Sequence, residues 1–237
     1  MPCTRSKRLT LALLAAAWLA APVTGFTQEA PALPNVATAA TPEEAVRALQ
    51  QQWEIANYQR HGKERSEALE ALVEAARATA QRFPGRADVL TWEAICLASY
   101  AGSLQGLSQV RALGLAKEAR ERLEEAERLD PNGYGGAIPT TLGALYFQVP
   151  GWPLGFGDDE KAAQYLQKAL TINPDGMDPN YFYGLFLMKK GEYAQAKTAL
   201  EKALAAPPRP QRPLADEGRR KEIQAALQEL ERKQGTR

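Results

Sequence analysis

Two segments of this 237-residue chain repeat at a fixed distance along the sequence. Five positions carry the same residues in both segments, and each lies 34 residues from its counterpart. They are Ala162, Leu166, Ala169, Leu170 and Pro174, which recur as Ala196, Leu200, Ala203, Leu204 and Pro208. A glycine, Gly143 or Gly184, precedes each set within an apolar stretch. We therefore expect each repeat to be two helices in close contact, with the proline after the second helix.

This period, with its pattern of small, aromatic and proline residues, resembles the tetratricopeptide (TPR) repeat. The resemblance implies an all-α fold: a TPR-like solenoid of helical hairpins with about three to four repeats and a C-terminal capping helix. Such a solenoid presents a concave groove suited to binding. We predict a binding protein and not an enzyme.

The same pattern predicts the helices along the chain. A degenerate first pair is expected over 42–58 and 63–82. The next repeat has a first helix that contains 92–97 and is followed by a long connection over 102–108. The last repeat is expected over 178–190 and 193–206, and the capping helix over 214–233. Thr41 and Glu44 form a predicted capping box at the first helix, and Asp178 is the predicted N-cap of the last repeat.

One repeat contains an insertion. The seven residues 150–156 include two prolines and two glycines, which cannot continue a helix, and Gly157-Asp158 is the predicted turn and cap after them. Trp152 and Phe156 place large apolar side chains on this loop. Two interpretations stay open for them: contact with a ligand or partner, or packing of the loop itself.

The N-terminus has the pattern of an export signal. Arg5, Lys7 and Arg8 precede the apolar run 9–21, which is too short for a usual membrane span. We predict a signal peptide over 1–25 with cleavage after Gly25, a flexible Ala/Pro/Thr-rich leader over 26–40, and the repeat domain over 41–237. The expected location is periplasmic or secreted; the alternative is an uncleaved N-terminal membrane anchor.

Charge and chemistry exclude several functions. Loss of the three basic residues of the signal lowers the net charge from +1 to −2, which gives no basis for nucleic-acid binding. The single histidine, His61, lies in a polar turn, and Cys96 lies in an apolar stretch, so neither suggests a nucleophile or a metal site. The carboxylates at 158–160 are expected to cap a helix. No catalytic residue, metal or cofactor is predicted.

Aromatic residues of the last two repeats are the main candidates for binding. By register with the TPR family, the groove-facing positions are Thr140, Ala144 and Phe147 in one repeat and Tyr181, Leu185 and Met188 in the next. With Trp152 and Phe156 of the insertion, these would form an apolar wall for a peptide or a small ligand. Tyr146, Phe182 and Tyr183 are expected to belong to the core.

The insertion 148–158 also resembles the T component associated with TRAP transporters (TatT-like proteins). That resemblance covers roughly residues 88 to 206 and implies a periplasmic accessory protein that acts with a solute-binding protein and handles a small apolar solute. Oligomerisation is a further implication of it. Two hypotheses result: a protein that binds a protein or peptide partner through its groove, or a TRAP-associated protein that binds or passes a small apolar solute.

Overall fold

The computed structural model describes residues 35–104 and 108–235. These residues form nine α-helices, two short 3-10 turns and no extended strand. The helices are α1 Pro42–Tyr58, α2 Gly62–Arg82, α3 Ala87–Ser103, α4 Gln109–Leu129, α5 Ala137–Gln148, α6 Asp159–Ile172, α7 Met177–Lys190, α8 Tyr193–Leu204 and α9 Pro213–Gly235. Within the described ranges, no helix is both long and apolar enough to cross a membrane. The expected all-α fold is confirmed.

Consecutive helices pair as antiparallel hairpins, and the two repeat glycines lie where the paired helices touch. A Cβ atom at Gly143 would lie 2.6 Å from Leu166 Cγ, and one at Gly184 would lie 2.8 Å from Leu200 Cγ. Both leucines are fully buried. The repeated glycine and leucine positions in the sequence therefore mark the places where the two helices of each repeat are in contact.

Helix ends follow the expected chemistry with one exception. Thr41 accepts a hydrogen bond from Glu44 N, and the Glu44 carboxylate accepts one from Ala40 N, so the predicted capping box forms with the reciprocal bond shifted by one residue. The prediction that Asp178 is an N-cap is wrong: Gly176 is the N-cap of α7. The carboxylate of Asp178 instead accepts hydrogen bonds from two arginines described below.

The insertion is held by its backbone. Gly157 N donates to Pro150 O, and Asp158 N donates to Tyr146 O, each at 2.9 Å. A side chain at Gly157 would overlap the Val149 carbonyl, which explains the glycine at this position. Asp158 then caps α6 by accepting hydrogen bonds from Glu160 N and Lys161 N, as the sequence predicts.

The first helices of the hairpins form an inner ring, and α9 closes it. Contacts run from α1 to α3, α3 to α5, α5 to α7, α7 to α9, and from α9 back to α1. The ring is joined by an ion pair of 2.6 Å between Arg212, just before α9, and Glu54 of α1. Gly218 of α9 lies directly against the Tyr58 ring of α1. The helix α9 therefore does more than cap the last repeat.

Capping of the last repeat is also observed. Ile223 and Leu230 of α9 are fully buried in a cluster with Leu200 and Ala203 of α8, and Leu227 packs at its margin. These three residues share one face of the helix, which is the face that α9 buries.

Packed structure begins at a 3-10 turn, Val36–Thr38, ahead of the predicted domain start at residue 41. Val36 is buried, and Arg82 donates hydrogen bonds to the carbonyls of Val36 and Ala37. The predicted signal peptide and residues 26–34 of the leader lie outside the described residues. So do residues 105–107 of the predicted connection, whose first two residues, 102 and 103, belong to α3.

Candidate functional site

The ring encloses a cavity of about 590 Å³ on the concave side of the hairpins. Its wall is supplied by all five ring helices, by the start of α2, by the 3-10 turn before α5, by the turn between α6 and α7 and by the segment that leads into α9. Apolar side chains lie there among polar and charged ones, and the apolar set includes Trp53, Trp92, Tyr134, Phe182, Ile95, Ala98, Ala144 and Leu145. This size and composition are typical of a site for a small ligand.

Hydrogen bonds fix the aromatic wall. Trp92 Nε1 donates to the Tyr134 hydroxyl at 2.9 Å, and Trp53 Nε1 donates to Ser99 Oγ at 2.7 Å. The two indole rings meet edge to face, with centroids 6.0 Å apart. A buried indole whose N–H is satisfied has one preferred orientation, so this wall is preformed.

We call α9 and residues 205–212, which lead into it, the closing segment, and its arginines complete the cavity. The guanidinium of Arg212 lies 5.1 Å from the Trp92 ring centroid and 5.9 Å from that of Trp53, while its Nε donates to Glu54. Arg219 lies over the rings of Tyr181 and Phe182, at 4.6 and 5.0 Å. Cation–π contacts of this kind stabilise a guanidinium that has lost part of its water.

Asp178 joins α7 to the closing segment. Its carboxylate accepts from Arg209 and from Arg219, each at 2.8 Å. Burial raises the pKa of Asp178, but the positive charges of Arg219, Arg209 and Arg212 outweigh burial and lower its pKa to about 2. Glu222, paired with Arg219 at 2.6 Å, behaves in the opposite way, because burial raises its pKa more than Arg219 lowers it.

The low pKa of Asp178 makes the ring sensitive to acid. A carboxyl group whose pKa is lower in the folded than in the unfolded state stabilises the fold above its unfolded pKa of 3.8, and this contribution disappears as the pH falls towards 2. We expect the urea midpoint to drop between pH 4 and pH 2, and to drop less in an Asp178→Asn variant. Glu222 contributes with the opposite sign, and Asp178 raises the pKa of Glu222, so the difference between the two proteins includes this coupling. Equal slopes in both proteins would contradict the assignment.

The structure places the sequence-predicted binding residues in different environments. Thr140 and Ala144 line the cavity, with the Thr140 hydroxyl donating to Gly136 O. The other predicted groove positions lie outside the cavity wall. Phe147 packs against Phe186. Tyr181 and Met188 are buried in the core of the last repeat, and Leu185 is half-buried beside that core. On α7 the cavity is lined by Phe182, one residue from the predicted register.

The two loop aromatics also separate. Trp152 is 90% exposed and Leu154 is 74% exposed, so they form an apolar tip on the surface. Phe156 is half-buried: its ring meets Tyr146 edge to face at 5.7 Å, and Arg120 lies 4.5 Å from its centroid. Their contact with a ligand or partner stays a prediction, and the structure gives Phe156 a packing role in addition.

Single alanine substitutions distinguish these roles. Trp152→Ala is expected to change the free energy of unfolding by less than about 0.5 kcal/mol, because the side chain is exposed. Phe156→Ala removes the contacts with Tyr146 and Arg120, and we expect a loss of about 1–3 kcal/mol, less than for a fully buried phenylalanine. Urea denaturation of both variants measures this. If Trp152→Ala proves as destabilising as Phe156→Ala, the loop is packed differently.

The residues that sequence reasoning missed belong to the earlier repeats and to the closing segment. Trp53 on α1 and Trp92 on α3 line the cavity, whereas the predicted groove positions belong to the last two repeats. No local pattern indicates Arg212 or Arg219, because their partners on α1 and α7 are distant in sequence.

Other reactive groups lie apart from the cavity. The Cys96 thiol is fully buried, which raises its pKa, and His61 is exposed at the start of α2. No three His, Cys, Asp or Glu side chains of the described residues are grouped in a way that could hold a metal ion. Asp159 forms ion pairs with Lys189 and Lys190.

Comparison with known proteins supports the repeat architecture. The sequence profile of the tetratricopeptide repeat matches residues 154–215. A crystal structure of a thermophilic TPR protein in Thermus thermophilus is similar in fold, with a TM-score of 0.52 and 16% identity over 78% of this chain and 90% of that chain. No curated protein matches the sequence.

Two crystal structures of MamA show a weaker likeness. They are 19% and 18% identical to this chain, cover 72% and 79% of it and 93% and 94% of their own chains, and have TM-scores of 0.41.

The fold and these matches define the chain as an all-α protein of stacked, TPR-like helical hairpins. Within it, residues 154–215 match the tetratricopeptide repeat itself.

Proposed function

We propose that this protein is a non-enzymatic binding protein that holds a small, mostly apolar ligand inside its ring of helices. The observation that supports this most strongly is the position of the closing segment. Residues of α9 and of the segment before it occupy the concave side, where a peptide laid along an open TPR groove would lie. What remains is a cavity of about 590 Å³ with a preformed aromatic wall.

A neutral fluorescent probe tests this proposal. N-phenyl-1-naphthylamine gains fluorescence in apolar surroundings, and we expect saturable binding with one site per chain. Ala98 lines the cavity, so Ala98→Phe should fill part of it and weaken binding. Ala78→Phe is the matched control, because Ala78 is exposed on the outer helix α2. The absence of saturable binding, or equal binding by both variants, would contradict the proposal.

A protein partner is a second proposed function, supported by the exposed tip of the insertion. A tryptophan that is 90% exposed next to a leucine that is 74% exposed is an unusual apolar tip on a loop anchored by backbone hydrogen bonds. We propose that this tip contacts a protein partner, with a solute-binding protein of a TRAP system as the first candidate to examine. Trp152→Ala should abolish capture of that partner without lowering the melting temperature.

We also propose that the protein is exported. The proposal rests on the basic residues 5–8 followed by the apolar run 9–21. N-terminal sequencing of protein from a periplasmic fraction should find a start near Phe26. An intact Met1 in the membrane fraction would support the anchored alternative.

A further inference from the structure

One cationic group of the cavity lacks the carboxylate partner that the other cavity arginines have. Arg209, Arg212 and Arg219 each form an ion pair of 2.8 Å or less. Arg65, from the first turns of α2, also lines the cavity, but no carboxylate of the described chain lies within ion-pair distance of it.

The hydrogen bonding of Arg65 is also incomplete. Its Nη2 donates to Asn57 Oδ1 at 2.7 Å, which orients the guanidinium. Its Nε is buried from solvent, and no acceptor of the described residues contacts it. Because this Nε has no accessible surface, a ligand in the cavity would pair with the terminal nitrogens of the Arg65 guanidinium, which has no carboxylate partner within the described ranges.

The neighbours of Arg65 are polar. Asn57 of α1 accepts a hydrogen bond from it, and Glu222 of α9 is close enough to feel its charge, while Trp53, Trp92 and Phe182 supply an apolar surface elsewhere in the cavity wall. Glu222 forms its ion pair of 2.6 Å with Arg219; the charge of Arg65 also lowers the pKa of Glu222, but the two side chains do not form an ion pair. A guanidinium binds a carboxylate through two parallel hydrogen bonds, and this pairing is stronger in surroundings that exclude water.

We infer that the cavity takes an apolar monocarboxylate, with its carboxylate on Arg65 and its apolar body against the aromatic wall. This inference rests on the proposed function and names the class of ligand. A neutral apolar molecule would leave the Arg65 guanidinium without an anionic partner. An apolar amine would place a second positive charge beside the guanidinium.

A matched pair of ligands tests the inference by isothermal titration calorimetry. The probes are 2-naphthylacetate and 2-naphthylacetamide, which share the apolar body and differ in the charged group. We expect the intact chain to bind the carboxylate at least about tenfold more tightly, the effect of one charge-assisted pairing. Arg65→Met should remove this preference by weakening the carboxylate, and Arg65→Lys should keep part of it.

Asn57→Asp is the sharper variant. It places a carboxylate where the amide oxygen now accepts from Arg65, so it should abolish the preference while binding of 2-naphthylacetamide is retained. The ratio of the two affinities within one variant is insensitive to any general loss of stability. A preference that persists in Arg65→Met would overturn the inference.

Failure of the inference and failure of the proposed function give different results. Equal affinities of the two naphthyl probes for the intact chain would overturn the carboxylate inference and leave the apolar cavity supported. Binding of N-phenyl-1-naphthylamine without binding of either naphthyl probe would also overturn the inference alone. Absence of binding by all three probes would overturn both.

Discussion

Replacing Arg212 with methionine is expected to lower the free energy of unfolding by about 3–5 kcal/mol, because it leaves the buried Glu54 carboxylate without its partner. The Glu54 side chain is only 6% exposed, and Arg212 Nε is its ion-pair partner at 2.6 Å. The variant also loses the cation–π contacts with Trp53 and Trp92. Urea denaturation followed by circular dichroism measures the loss.

Two further variants identify the cause of this loss. Glu54→Gln combined with Arg212→Met should recover much of the stability, because the double variant has no unpaired charge at this buried position. Lys221→Met is the matched control on α9: its ion pair with Glu217 is exposed on both sides, so its loss should change stability by at most about 1 kcal/mol. If Arg212→Met is no more destabilising than Lys221→Met, the ring is not closed through Glu54.

Gly184→Leu is expected to destabilise the last repeat by about 1–3 kcal/mol or more, because the new side chain has no space between α7 and α8. A Cβ atom alone would lie 2.8 Å from Leu200 Cγ and 3.4 Å from the Ala196 carbonyl oxygen. Larger side-chain atoms would force the two helices apart. Thermal unfolding should show a lower melting temperature.

The matched control for this variant is Gly114→Leu. Gly114 lies within α4, and a Cβ atom there would meet nothing within 4 Å. Leucine has a higher helix propensity than glycine, so this change should leave stability unchanged or raise it by about 0.5–1 kcal/mol. A melting temperature that falls equally in both variants would show that the helix contact at Gly184 is not the cause.

The sequence predicted the hairpins well because the contacts that form them are local. Gly143 meets Leu166 and Gly184 meets Leu200 across single connections, so their spacing repeats visibly along the chain. The cap at Asp158 and the turn at the insertion were predictable for the same reason. The cap depends on backbone groups two and three residues away, and the insertion is bonded to backbone groups of its own repeat.

Closure of the ring could not be predicted, because it depends on residues far apart in the chain. Glu54 and Arg212 are 158 residues apart, and neither belongs to the repeated pattern. Asp178 shows how such distant partners override a local rule. Its position suits a helix cap, but ion pairs with Arg209 and Arg219 satisfy its carboxylate instead.

The candidate site was predicted only in part, for a geometric reason. Of the positions that the family register selected, Thr140 and Ala144 line the cavity, but on α7 it selected Tyr181, whereas Phe182 lines the cavity. Adjacent residues differ by about 100° around a helix, so a shift of one residue exchanges a core position for a cavity position. The contribution of α9 to the cavity wall gave no sequence signal beyond an amphipathic helix.

The most direct test of ring closure is a disulfide between α1 and α9. Gly218 lies against the Tyr58 ring, so cysteines in a Tyr58→Cys, Gly218→Cys variant should be close enough to pair. Mass spectrometry after mild oxidation should find this intramolecular bond in nearly all chains. Tyr58→Cys with Ala225→Cys, an exposed position farther along α9, should give little bond. Absence of the 58–218 bond, or equal bond formation in both variants, would contradict closure of the ring by α9.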